Sequence, residues 1–333
     1  MIGDATPLFA ERRRAMLRTA MGPAIVAALG DPRVVEIMVN PDGSLRVDLL
    51  GEGRVGTEVR LPSDQVERII RLVASHARGE AHAERPIVSA ELPPLETGGA
   101  GERFEGVLPP VAVAPCFSIR KPAERLHRLA DYVSDGIMPA HAADLLRAGI
   151  AERLNILVAG GTSSGKTTLA NALLAEMGDR DERVILIEDT RELRCPAPDT
   201  VALRTRAGHV GLGDLVRSTL RLRPDRIVVG EVRGGEALDL LKAWNTGHPG
   251  GIATVHANSA RAALHRLEQL VQEAVVTVPR GLVADAIDMV VFIAGRGRAR
   301  QVAEIARVAD VDPAGTFVLR DLLTPRSTQG DQA

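Results

Sequence analysis

Lysine is scarce in this chain: Lys121, Lys166 and Lys242 are the only three among 41 basic residues. None follows an asparagine, so the usual guanine-reading segment of a switch GTPase is missing. Aromatic residues are equally few, with five Phe, one Tyr and one Trp, too little material for a base-stacking platform. The net charge of −2 supplies no global field toward nucleic acid. Cys116 and Cys195 are far apart and lack zinc-type spacing, which leaves plain thiols or a single pairing open. No apolar run approaches the roughly 18 residues of a spanning helix. Glu11-Arg12-Arg13-Arg14 occupies the place where a secretory leader needs an apolar core, so the expected location is the cytoplasm.

What is present is ordinary globular material, 45% hydrophobic and 25% charged over 333 residues, enough for two domains. One helix is expected over residues 8–29, its arginines clustered near the start, where a basic amphipathic face could touch an anionic membrane surface. Strands are expected at 34–39, 45–50 and 54–61, then a helix from Ser63 to about Ala77. Short extended runs at 87–92, 103–108, 111–113 and 117–120 close a smaller mixed α/β domain over residues 1–121. Residues 122–138 read as a linker and 324–333 as a frayed tail. Between them, residues 139–323 alternate strand and helix, the mark of a mostly parallel sheet covered by helices. Strands are expected at 154–159, 184–188, 200–204, 226–230 and 251–256, with an antiparallel edge from 289–294, 302–308 and 316–320.

The chemistry centres on Gly160-Gly161-Thr162-Ser163-Ser164-Gly165-Lys166-Thr167-Thr168, set between an apolar run and a helical pattern. Glycines let backbone N–H groups turn inward onto phosphates, and the helix start adds its positive end. Lys166 would reach the β- and γ-phosphates of a nucleoside triphosphate, and the Thr167 hydroxyl would hold Mg²⁺. Two further apolar runs end in acids, Ile185 to Glu188 and Ile227 to Glu231. Ligands in open α/β sheets bind at such carboxyl ends, so one acid could orient the attacking water and the other hold the metal through its water shell. A last strand, flanked by glycine-rich turns, ends in His256.

The stretches 160–168, 187–193, 223–236 and 246–258 resemble, in order, the Walker A, aspartate, Walker B and histidine boxes of the secretion-superfamily ATPases. The N-terminal Val35 to Gly43 is similar to the conjugal-transfer ATPases of type IV secretion systems, although Arg46 stands where that pattern carries a tryptophan. The resemblance implies an ATP- and Mg²⁺-using homo-hexamer with a RecA-like C-terminal domain, working with inner-membrane secretion components and peripherally associated with that membrane. It implies Glu188 as the catalytic glutamate, Glu231 as the Walker B acid and His256 as a coupling residue. Arg103 and Arg120 match the N-domain arginines that reach the γ-phosphate. A pilus or type II secretion motor and a nucleic-acid translocase are the alternatives. The paired-cysteine module of many type II members is absent, and charge and aromatic content disfavour direct gripping of nucleic acid.

Overall fold

The computed structural model describes residues 7–93, 101–122, 126–206 and 208–324. The chain divides into two compact units, Met1–Glu124 and Arg125–Ala333.

In the first unit, α1 (Pro7–Gly30) and α2 (Ser63–His76) cover one face of a six-stranded sheet. The sheet contains β1 (Val34–Val39), β2 (Ser44–Leu49), β3 (Gly53–Arg60), β4 (Ile87–Glu91), β5 (Arg103–Val107) and β6 (Cys116–Arg120), in the order β3-β2-β1-β6-β5-β4. Every pairing is antiparallel. Alternation puts Ile37, Phe104, Phe117 and Ile119 on the covered face. They meet Val66, Ile69, Ile70 and Val73 of α2, spaced to share one side of a helix. The helix expected over 8–29 is broken at Gly22, with φ of 77°, because Pro23 can neither donate to the helical ladder nor tolerate a helical residue before it. The strand expected at 111–113 is a turn with Val111 and Val113 exposed; no neighbouring strand offers it a ladder.

The second unit begins within the segment read as a linker, where α3 (Leu129–Ser134) forms and buries Leu129 and Tyr132 in that unit's core. Its elements continue with α4 (Ala140–Ala151), β7 (Ile156–Gly160), α5 (Lys166–Ala175), β8 (Arg183–Glu188), β9 (Asp199–Arg204) and α6 (Leu212–Thr219). Then come β10 (Arg226–Val229), α7 (Glu236–Asn245), β11 (Ile252–His256), α8 (Ala260–Gln272), α9 (Arg280–Ala286), β12 (Met289–Ala294), β13 (Gln301–Val311) and β14 (Phe317–Asp321). The strand order is β14-β13-β12-β7-β11-β10-β8-β9. Apolar layers cover both faces of the sheet, which is why β7 and β10 are buried along their whole length. β12 is not part of a purely antiparallel edge: it runs parallel to β7 and antiparallel to β13. The sequence 325–333, read as frayed, lies outside the described residues.

At the lower end of this sheet, Asn155 ties three strands together. Its Oδ1 accepts from the backbone N–H groups of Gly250 (2.8 Å) and Gly251 (2.9 Å), while its Nδ2 donates to Ala286 O (2.8 Å). Its own N–H donates to Asp288 Oδ2 at 2.9 Å. Beside it the fully buried Arg226 donates through Nε to Glu182 Oε2 (2.6 Å) and through Nη1 to Gly250 O (3.1 Å). Cys116 and Cys195 are both free thiols.

Candidate functional site

β7 ends at Gly160, and the chain turns through residues 161–165 into α5. Two positions need glycine. A Cβ at Gly160 would stand 2.4 Å from Ser164 Oγ and 2.7 Å from Ile293 O, and Gly165 has φ of 100°. Ser163 also takes a left-handed φ of 61°. The Ser164 hydroxyl is buried with no hydrogen-bond partner among the described residues, and Gly161 faces open space. A phosphate group fits this cradle: it supplies acceptors to an orphaned hydroxyl and to the N-terminus of α5. Thr162 is exposed, while Thr167 and Thr168 are half-buried in the first turn of the helix.

Parallel pairing places Gly160 of β7 level with His256 of β11 on one side and Ile293 of β12 on the other. On the β11 side the predicted residues meet. Lys166 Nζ donates to Gly161 O at 3.1 Å and lies 3.3 Å from His256 Nε2. The same imidazole nitrogen is 3.0 Å from Glu231 Oε1. Burial, then the Lys166 charge, pulls the His256 pKa below its ordinary value against the opposing pull of Glu231, so the ring is neutral near pH 7. A neutral ring has one proton for two nitrogens. Nε2 can therefore accept from Lys166 but not also donate to Glu231, whose Oε1 is buried without a hydrogen-bond partner among the described residues.

Arg233 extends the chain. Its Nε donates to Glu231 Oε2 at 2.9 Å, its Nη2 meets the same oxygen, and its Nη1 is 3.4 Å from Asp189 Oδ2. Thr205 Oγ1 in turn donates to Asp189 Oδ1 at 2.9 Å. The sequence motif contained Arg233, but nothing in it assigned the residue this bridging position.

Glu188 is 5% exposed, and its Oε1 accepts from the backbone N–H groups of Glu192 (2.9 Å) and Leu193 (2.7 Å). Burial raises its pKa to about 7 despite those hydrogen bonds. Asn171 of α5 grips the same loop, donating to Glu192 O (2.9 Å) and accepting from Arg194 N (2.8 Å). The carboxylate at the end of β8 and the helix after the phosphate loop thus share one connection.

Arg103 and Arg120 lie in the first unit, directly opposite each other on β5 and β6. Register extends the row outward to Glu36 on β1 and Glu91 on β4, giving acid, base, base, acid across the face away from the apolar core. Like charges directly opposite are unfavourable by about 0.2–1 kcal/mol. An anion is the natural complement of such a pair.

The family model described as "Type II/IV secretion system protein" matches residues 99–299. The conjugal transfer protein TrbB of Rhizobium radiobacter is 47% identical over 294 residues, covering 88% of this chain and 89% of that protein. The type IV secretion system protein PtlH of Bordetella pertussis is 36% identical over 310 residues, with 82% and 89% coverage. Among solved structures, the Legionella pneumophila ATPase DotB shares the fold at a TM-score of 0.56 and 18% identity, covering 96% of this chain and 82% of that one. With the family model spanning residues 99–299 and near-full-length similarity to conjugal transfer proteins, the chain belongs to the type II/IV secretion system proteins, as an ATPase with a RecA-like domain.

Proposed function

We propose that this ATPase is a homo-hexameric motor that powers conjugal transfer through a type IV secretion system. The meeting of Lys166, His256 and Glu231 at the end of the phosphate loop carries the reading, and near-full-length similarity to TrbB supports the pathway. Lys166 leaves His256 to bind the β- and γ-phosphates, and the ring proton can then move from Nδ1 to the freed Nε2, which turns toward Glu231 as a donor. The γ-phosphate is thereby felt at Glu231, Arg233 and Asp189 through hydrogen-bond exchange alone. Thr167 and, through water, Glu231 would hold Mg²⁺, which neutralises charge on the phosphate oxygens. Glu188, ionised above its raised pKa, orients the attacking water.

Arg103 and Arg120 contribute the second wall by reaching the γ-phosphate, so its loss on hydrolysis releases the N-terminal domain. The hinge between the domains lies in residues 122–128, ahead of α3, since α3 belongs to the core of the second unit. Among the described residues no helix is long and apolar enough to cross a membrane. Contact with the inner membrane is peripheral in this reading, through secretion components and the basic side of α1, where Arg12 and Arg18 are exposed.

The test combines sizing by light scattering with phosphate release, each with and without ATP and Mg²⁺. A six-subunit species that hydrolyses ATP is expected. A monomer at all nucleotide concentrations rejects the ring, and pilin genes beside this one in place of conjugal-pore genes reject the pathway.

A further inference from the structure

The flank of the phosphate loop opposite His256 is formed by the connection from β12 to β13. That connection leaves the sheet level with Gly160, because Ile293 pairs with it. It turns at Gly295 and through a short 3-10 turn, Gly297–Ala299, and Val302 N–H fixes its far end on Ile137 O at 2.8 Å. The turn sends Arg300 back over the loop. A Cβ at Gly165 would stand 3.0 Å from Arg300 Nε and 3.1 Å from its Cζ, so the guanidinium lies against the backbone of the last loop glycine.

Two observations make this placement unusual. The buried Nε has no hydrogen-bond partner, and among the described residues no carboxylate pairs with Arg300. The neighbouring Tyr132 hydroxyl is buried and likewise without a partner. A cation is thus held beside the N-terminus of α5, itself electropositive, with no anion to offset either. Nothing in the fold requires that arrangement, and a bound anion would complete it.

The two flanks also give the anion a direction. Lys166 is drawn toward the β11 flank, where His256 and Glu231 stand, and a P-loop lysine engages the β- and γ-phosphates. The α-phosphate of a nucleotide lying across the loop then falls on the β12 flank. We propose that Arg300 binds the α-phosphate of the nucleotide and so positions the nucleoside end of the substrate. This rests on the ATPase assignment and adds to it a residue outside all four sequence boxes. Its planar fork suits a phosphate, which a lysine would meet only as a point charge.

The experiment compares Arg300→Gln and Arg300→Lys with the wild-type chain by calorimetric binding of ADP and of a non-hydrolysable ATP analogue, steady-state hydrolysis and thermal melting. Arg300→Gln should weaken both nucleotides by the same factor, about ten- to a hundredfold. KM should rise in parallel with kcat within about twofold, as expected for a contact made equally in ground and transition states. Arg300→Lys should restore part of the affinity, and neither variant should melt differently. Unchanged binding of both nucleotides overturns the proposal. So does a fall in kcat with ADP affinity intact, which would place Arg300 at the γ end. A wild-type chain that binds no nucleotide would instead overturn the ATPase assignment beneath it.

Discussion

The two sheets handle charge in opposite ways. In the eight-stranded sheet both faces are apolar, and charged groups at the ends of its buried parallel strands are held by named partners: Arg226 by Glu182, Glu188 by backbone N–H groups, Glu231 by Arg233. In the six-stranded sheet α1 and α2 cover one face, and the other carries Arg103 and Arg120 side by side. Internally committed charges stabilise their own unit. The paired arginines repel each other across β5 and β6, and Glu36 and Glu91, each opposite one of them, offset that repulsion in part.

That contrast can be broken at graded strength. The largest effect is expected from Lys166→Ala, which removes the cation from the cradle: phosphate release should fall at least about a hundredfold with the melting temperature nearly unchanged. Normal hydrolysis by this variant would end the whole functional reading. Next, Glu182→Ala strips the fully buried Arg226 of its carboxylate. The C-terminal unit should lose about 3–5 kcal/mol, read from its denaturant midpoint, because an uncompensated buried charge remains.

Glu188→Gln sharpens the comparison through pH. In the folded chain this carboxyl titrates at about 7, above its ordinary 4.5, so its protonated form is favoured by folding. Its contribution is full below pH 4.5 and is lost as pH rises through 7. The wild-type chain should therefore lose stability across that window relative to Glu188→Gln, by on the order of 1–3 kcal/mol. Turnover, which needs the ionised form, should rise over the same range and be largely absent in the variant. The smallest change in stability belongs to Arg103→Ala with Arg120→Ala. Removing two apposed cations, each also opposite an acid, should change the stability of the N-terminal unit by at most about 1 kcal/mol in either direction. The ATPase rate and nucleotide affinity should nevertheless fall, and unchanged values would reject a role for these arginines at the γ-phosphate.

The same contrast explains what could be read from the chain. Buried parallel strands are continuous apolar runs, so β7, β8, β10 and β11 were legible to within two residues, and the acids that end them came with them. Strand pairing is not local. Nothing in Met289–Ala294 announces that β12 pairs with β7, and without that pairing Arg300 is one arginine among several rather than a neighbour of Gly165. Arg226 read as part of a motif, whereas its burial beneath Gly250 depends on a carboxylate 44 residues away and a backbone carbonyl 24 residues away. α3 escaped because six residues give too short a period to rise above a proline- and glycine-bounded stretch. The break at Gly22 was visible in principle, since Pro23 follows it, but the apolar spacing on either side favoured one continuous helix.

Asn155 sits at the foot of β7, about 15 Å of strand below the phosphate loop. By fixing where β7, β11 and the approach to β12 begin, it serves as the datum from which the heights of their upper ends are measured. Gly160, His256 and Ile293 are level because their strands start level. A substitution there would touch no nucleotide and need not unfold the sheet. A slip of one residue would nonetheless carry His256 out of reach of Lys166 and turn it to the opposite face. Alignment of these strand ends is thus a tolerance set at the opposite edge of the sheet, and damage to it would look like a chemical defect with an intact phosphate-loop sequence.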